Sequence, residues 1–386
     1  MSGPLTGIKV LDITHYAVGP WATSLLGMLG AEVVKIEPPE GDYVYRFPPP
    51  YKNGVTTSYM ACNVSKKCII LDLKDEHVRE AVNKLVKGCD VLVENHRPGF
   101  LERRGLGYGA VSKINQGIIY CSASGYGSRG PHKDMGSTDP FGAAFSGFAS
   151  VSGPVGGPTE GMKGGSHIDL TTSAYMVCGI LAALYYRGLT GKGQKIETSQ
   201  MQSAMALAGS RAQEYFVSGK NPLPMGSGVA NVVPSRAFKT SEGKYINISA
   251  EDQVTWQRLC NALGMGQLID DPRFKTNSLR VQNRDSLERI LEATIKERPA
   301  SMWLEVLEKV QVPCGLNFNY NEIRIYPQVR QLKMMELIET PWGEVRVGGV
   351  PWRFSRTPGE VKPTRKPGQD TNDVLESLVS EHLLKG

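Results

Sequence analysis

Apolar runs of strand length alternate with helical stretches along the first third of the chain. GIKVLDI (7–13) is a short apolar run, the mark of a buried strand. Gly19 and Pro20 follow, then WATSLLGMLG. Pro20 suits the first position of a helix, and Gly30 suits the left-handed residue just past its end. EVVKIE (32–37) is the next strand, so strand, helix and strand fit within 37 residues. That is the repeating unit of a parallel sheet covered by helices. The pattern continues with CIILDL (68–73), a helix near 75–87, DVLVEN (90–95), a helical turn near 108–114 and GIIYCSASGYG (117–127).

From 146 to 165 the chain is rich in Gly, Ser and Pro, which predicts a loop. LTTSAYMVCGILAALYYR (170–187) is apolar nearly all round, the pattern of a helix buried in a core or interface. A Gly-rich turn and strand (190–199) and another helix near 200–216 follow. The composition then changes. KNPLPMGSGVANVVPS (220–235) reads as a linker, and AFKTSEGKYINISA (237–250) as a hairpin turning at Glu242-Gly243. Amphipathic helices are expected at about 253–263, 281–297 and 300–310, strand-like alternation at 339–355, and a closing helix at 374–385. The fold expected is α/β, with a Rossmann-like parallel sheet in a large domain (1–210, completed by 330–386). A smaller α+β domain (225–325) is joined to it by linkers at 211–224 and 326–329.

The composition is that of an ordinary soluble chain: 40% hydrophobic, 21% charged, mean hydropathy −0.25. The net charge of +6 is scattered, with no basic run or interleaved aromatic stripe, so nucleic acid is not an expected partner. Seven cysteines without CxxC spacing predict free thiols in a reducing compartment, and the six histidines do not cluster with them, so no metal site is expected. The N-terminal stretch lacks a charged segment followed by an apolar one, and no later window of 18 apolar residues stands out. A cytoplasmic protein with no membrane association is the expectation. After the first strand HYAVGP stands in place of GxGxxG, so NAD is not expected either.

Among the carboxylates, Asp169 stands out. It follows GGSHI and precedes the long apolar helix, where backbone amides and the helix dipole favour negative charge. The common use of such a residue is a helix cap. A carboxylate approached by a glycine-rich segment and backed by a rigid helix also suits attack on an activated acyl group. The residues alone leave both roles open.

The chain resembles the class III CoA-transferases, the CaiB/BaiF or formyl-CoA transferase-like family, over essentially its whole length. The matching segments are LTGIKVLDITHYAVGPWATSLLGMLGAEVVKIEPPEGD (5–42), KKCIILDLK (66–74), DVLVENHRPG (90–99), RRGLG (103–107), SGYGSRGP (124–131) and HIDLTTSAYMVCGILAALYYRGLTGKGQ (167–194). The resemblance implies that Asp169 is the catalytic nucleophile, forming an aspartyl-CoA thioester. It implies that Tyr16 and Ala17, the segment Leu71, Asp72, Leu73 and Lys74, the trio Asn95, His96 and Arg97, and Asp139 line coenzyme A. Arg103 would approach the phosphates, with Arg104 sharing the task, since the guanidinium fork matches phosphate. Asp12 and His15 would serve the scaffold of the first turn. An interlocked homodimer acting on acyl-CoA and an organic acid is implied as well.

Two departures bear on the substrate. Racemases of this superfamily carry Gly-His-Asp where this chain has Gly136-Ser137-Thr138-Asp139, and threonine cannot shuttle a proton near neutral pH. Formyl-CoA transferases carry a mobile Gly-rich loop where this chain has SAEDQVTW (249–256), which makes oxalate a poorer expectation than a different, larger acid. The alternatives are a 2-methylacyl-CoA racemase, disfavoured by Thr138, and a non-catalytic CoA-binding subunit, disfavoured by Asp169.

Overall fold

β1 (Lys9–Ile13) is buried at every position after Lys9, as a central parallel strand covered on both faces must be. α1 (Val18–Met28) follows, buried along almost its whole length. Pro20 is its third residue rather than its first, a place still free of cost because first-turn N–H groups have no helical acceptor. Gly30 has φ +98, as its place past the helix end requires. The computed structural model describes residues 3–160 and 165–383; the part of the expected loop at 161–164, and the end of the closing helix beyond 383, lie outside the described residues.

The remaining elements of the sheet are β2 (Glu32–Glu37), β3 (Lys67–Ile70), α2 (Arg79–Gly88), β4 (Val91–Glu94), α3 (Tyr108–Ile114) and β5 (Ile119–Ser124). They continue with α4 (Asp139–Phe145), α5 (His167–Thr190), β6 (Gln194–Ser199) and α6 (Gln200–Ser218). The six strands are all parallel, in the order β3-β2-β1-β4-β5-β6. Successive residues of one strand feed opposite layers. Val10, Val91 and Val93 pack with Ala22, Leu26, Met176 and Ile180 of α1 and α5. Leu11, Ile13 and Leu92 pack with Val82, Val86 and Val111 of α2 and α3. Each such side chain contributes about 1.5–3 kcal/mol when fully buried, so both layers hold the sheet.

By its contacts the chain divides into two compact units: Met1–Ala149, Gly161–Asn221 and Pro327–Gly386 form one, and Ser150–Glu160 with Pro222–Tyr326 the other. Ser150–Glu160 therefore leaves the large domain in which it was expected. The stretch 211–218, expected as linker, is the end of α6, kinked at Gly209 (φ +48). In the second unit, β7 (Ser235–Lys239) and β8 (Tyr245–Ser249) form the hairpin, and α7 (Gln253–Ala262), α8 (Arg284–Ile295) and α9 (Ala300–Lys309) cover it. A third strand, β9 (Cys314–Leu316), adds antiparallel to β8 and was not foreseen. The helix expected from 281 starts later because Asn283 separates α8 from a short helix, Asn277–Gln282. Trp256, Phe238, Ile246, Leu287 and Trp303 build the core of this unit. The chain ends with the hairpin β10 (Met335–Thr340) and β11 (Gly343–Gly348), then α10 (Thr371–Leu383).

α5 departs from expectation. It is long and apolar enough to cross a bilayer by length and composition, a window missed in the sequence, yet one face of it is sheet core. Its other face leaves Leu170, Tyr175, Leu181, Tyr185, Tyr186 and Leu189 exposed.

Candidate active site

Winding of the sheet reverses between β1 and β4, which run side by side. In open α/β sheets the crevice beyond the strand ends at such a point is where ligands bind. Here that crevice is floored by buried charge. Asp12 Oδ1 accepts from the Thr14 N–H at 2.9 Å and its hydroxyl at 2.5 Å. Its Oδ2 accepts from Thr23 Oγ1 at 2.6 Å and pairs with Lys66 Nζ at 3.0 Å. Burial alone would raise the Asp12 pKa; Lys66, Lys35 and the two hydroxyls outweigh it and hold it at about 2. Lys35 pairs with Asp42 at 3.0 Å and donates to Thr14 O at 2.7 Å. Asp42 in turn accepts from the N–H of Tyr16, a residue in the left-handed region (φ +64). Gly19 completes the turn, because a Cβ there would come within 2.3 Å of Thr14 Cγ2. Asp12 thus serves the scaffold of this turn, and the network fixes the loop after β1.

Asn95, just beyond β4, ties that loop to its own. Its Oδ1 accepts from His15 N–H at 2.9 Å and its Nδ2 donates to His15 O at 2.8 Å. The His15 ring lies 4.5 Å from that of His96, which stacks on Phe100 at 4.1 Å. Burial lowers the pKa of both histidines, that of His96 to about 3, so neither is a cation near neutral pH. Arg104 lies over the other side of the column's terminal ring, 3.7 Å from the Phe100 centroid, and donates to Phe100 O at 2.9 Å.

A cavity of about 920 Å³ opens here, lined by Tyr16, Ala17, Asn95, His96, Arg97, Arg103 and Asp169 among others. The structure thus gathers half of the residues expected around the cofactor with the expected nucleophile. The rest lie elsewhere. Leu71 is core, and Asp72 accepts from the Lys74 N–H in a turn past β3, with Leu73 half-buried between them. Arg104 is held against Phe100. Asp139 lies outside the lining, because its carboxylate serves the helix that carries Asp169.

That service takes over the capping role, one of the two left open for Asp169. Asp139 Oδ2 accepts from the N–H groups of Ile168 at 2.6 Å and Asp169 at 3.0 Å. Asp139 is therefore the cap of α5, and Ser166, at the formal cap position, makes no side-chain cap bond. The Asp169 carboxylate is left to the cavity, where its Oδ1 accepts from Gln200 Nε2 at 2.5 Å. Burial and then the like charge of Asp139 raise its pKa to about 6, against the lowering effect of Gln200. It remains ionised near neutral pH but is more basic than an ordinary carboxylate, as suits a nucleophile.

Gln200 was missed in the sequence. The only signal was its place as the first residue after β6, at the strand edge where such sheets keep their sites. Trp21, Phe47, Cys62, Thr138 and Phe141 also line the cavity without having been singled out for it.

A parallel sheet with a cavity at its reversal point and a half-buried carboxylate facing it defines a class: an α/β protein with a ligand site beyond its strand ends. The family model described as "CoA-transferase family III" matches residues 5–371, and the chain belongs to that family. It is 36% identical over 379 residues to the human succinyl-CoA:glutarate CoA-transferase, covering 97% of this chain and 86% of that one. It is 34% identical over 366 residues to the acetyl-CoA:oxalate CoA-transferase of Acetobacter aceti, covering 95% and 92%. A CAIB/BAIF family protein from Brucella suis superposes with a TM-score of 0.88 at 32% identity, over 98% of this chain and 100% of that one. The chain is thus a class III CoA-transferase whose substrates are CoA thioesters and organic acids.

Proposed function

We propose that the enzyme moves CoA between carboxylic acids through a covalent aspartyl-CoA thioester on Asp169. The observation that carries this is the division of labour at α5: Asp139 caps the helix, and the Asp169 carboxylate faces the cavity. Asp169 Oδ2 attacks the thioester carbonyl, the C–S bond breaks, and CoA leaves as thiolate. The thiolate then attacks Asp169 Cγ of the mixed anhydride, expelling the donor acid with Oδ2 in it. The acceptor carboxylate attacks the aspartyl thioester, and the returning thiolate takes the acceptor acyl group. Asp169 is regenerated with one oxygen from the acceptor. Splitting the exchange in two makes each step a displacement by a good nucleophile.

Arg97 and Arg103, exposed on the cavity lining, suit the CoA phosphates. The exposed apolar face of α5 supports a homodimer, since a monomer rarely leaves so much contiguous apolar surface in water. A cytoplasmic setting accords with seven free cysteines. Dicarboxylates head the substrate panel because the relatives' names include succinate and glutarate. Succinyl-, acetyl-, glutaryl- and formyl-CoA, each with free acids, should be followed for CoA exchange by mass spectrometry. At least one pair should exchange, and hydroxylamine should trap an adduct at Asp169 only. Asp169→Ala with more than a few per cent of wild-type exchange would overturn the assignment.

A further inference from the structure

Gln200 is buried to 6% exposure and spends its amide on the nucleophile: Nε2 donates to Asp169 Oδ1 at 2.5 Å. A carboxylate only accepts, so the amide nitrogen must be the end that faces it. The position of Gln200 is fixed from several sides. Ser199 caps α6 by accepting from the Gln202 N–H at 3.2 Å, and Met201 N–H donates to Gly125 O at 3.0 Å. Gly142 of α4 lies against it, where a Cβ would come within 3.0 Å of Gln200 Cβ and of Ile168 Cγ2. α4, α5 and α6 therefore meet at this contact, which fixes the backbone and Cβ from which the amide reaches Asp169.

One oxygen of Asp169 is thus engaged before any substrate arrives. We propose that Gln200 is a catalytic residue of this enzyme: it reserves Oδ1 as the spectator oxygen, leaves Oδ2 to attack, and donates to Oδ1 when that atom becomes an oxyanion. This rests on the covalent reading above. When the CoA thiolate attacks Cγ of the mixed anhydride, the S–Cγ bond forms and the carbonyl pair moves onto Oδ1. Collapse restores that carbonyl and breaks Cγ–Oδ2, so the donor acid leaves as carboxylate and no proton is needed. The same adduct forms in reverse when the acceptor acid attacks the thioester. In each, the charge falls on the atom that Gln200 already touches, which is the geometry of an oxyanion-hole donor. The donor is pre-placed and buried, so it reorganises little as the charge forms.

The consequence is an asymmetry between the two oxygens. Each turnover replaces the attacking oxygen with one from the acceptor acid, while the held oxygen stays. Rotation about Cβ–Cγ in the free carboxylate swaps two chemically identical oxygens between turnovers, so the label is read within a single turnover. The test uses the thioester that exchanges fastest in the panel above, succinyl-CoA being tried first, with its own acid labelled with oxygen-18 in the carboxyl groups. The reaction is quenched by the end of the first turnover, before that rotation can mix the label. The peptide containing Asp169 is then weighed. Wild type should carry one heavy oxygen. Gln200→Leu should carry one as well, with kcat lowered about 10²–10³-fold and KM little changed. Its acid limb should also move to higher pH, because the bond that lowers the Asp169 pKa is gone.

Turnover with no label in Asp169 would sink the covalent reading and this inference with it. A labelled Asp169 together with wild-type kcat in Gln200→Leu would overturn the role of Gln200 and leave the covalent reading standing. Should that variant fail to fold, Gln200→Glu, which keeps the shape and removes the amide donor, decides by the same two readings.

Discussion

Asp139 accepts a hydrogen bond from the backbone N–H of Asp169 at 3.0 Å, so one acidic side chain caps the helix that presents another. The arrangement has two effects. It frees Asp169 from capping, and it sets a like charge beside it that helps raise its pKa to about 6, second to burial. The cap and the electrostatic tuning are therefore the work of one carboxylate.

They can be separated by substitution. Asp139→Asn keeps an oxygen that accepts from the helix amides but removes the charge. The Asp169 pKa should fall, and the acid limb of kcat/KM should move below its wild-type position near pH 6. At pH 5 the variant should keep a larger fraction of its own plateau activity than the wild type does. Asp139→Ala should also lose about 1 kcal/mol of stability with the cap. An acid limb unmoved by Asp139→Asn would show that this charge does not tune the nucleophile.

Asp169 should also cost the folded protein stability near neutral pH. Its folded pKa is about 6 against 3.8 for the free group, so the native state binds the proton more tightly than the unfolded chain. Between those values the native state holds more protons, so stability falls as pH rises and the loss is complete above about 6. Asp169→Asn removes the group. It should be inactive in transfer but more stable than wild type at pH 7, by roughly 1–3 kcal/mol in urea denaturation. Near pH 4 the difference should shrink. An asparagine variant less stable than wild type at pH 7 would contradict the sign.

The sheet was legible because a parallel strand buried on both faces is written mostly in apolar residues; β1, β2 and β4 are short apolar runs broken only by single charges such as Asp12 and Lys35. Asp169 was legible as a first-turn acid, but its role was not. The deciding contacts come from Asp139, 30 residues earlier, and Gln200, 31 later, and no periodicity links such positions. Lys35 and Lys66 were invisible for a different reason: lysine usually marks solvent. Here both are buried because Asp12 and Asp42 are buried beside them, a pairing that only the fold creates. Arg104 is a case of the same kind: sequence places it beside Arg103, and the fold sets it against Phe100, a turn earlier.

Asn95 is the link across the sheet's reversal point, holding both the N–H and the carbonyl of His15. Asn95→Ala removes both bonds and leaves two backbone groups to find other partners. The expected loss is about 1–3 kcal/mol in thermal or urea denaturation, with a higher KM for every acyl-CoA. Asn95→Asp can still accept from the N–H but faces the His15 carbonyl with an oxygen, so it should rescue only part of the loss. Full stability and unchanged KM in the alanine variant would show that the bridge does not organise the cavity.

The two adjacent arginines should behave differently. Arg103 is exposed and lines the cavity, while Arg104 lies 3.7 Å over the Phe100 ring and donates to the Phe100 carbonyl. If Arg103 pairs with a CoA phosphate, Arg103→Ala should raise KM for all acyl-CoA substrates by a similar factor. A charge-assisted bond is worth about 1.5–3 kcal/mol, or roughly ten- to a hundred-fold in affinity. Exposure and salt reduce this, so the effect should narrow as ionic strength rises. Discrimination between acids should not change, because a phosphate contact is common to every thioester. Arg104→Ala should leave KM near wild type and lower stability by about 1 kcal/mol through the lost ring contact and hydrogen bond. The double variant should match Arg103→Ala in KM and Arg104→Ala in stability. If instead Arg104→Ala raises KM and Arg103→Ala does not, the phosphate-binding role passes to Arg104, and the stacking on Phe100 must break when the thioester binds.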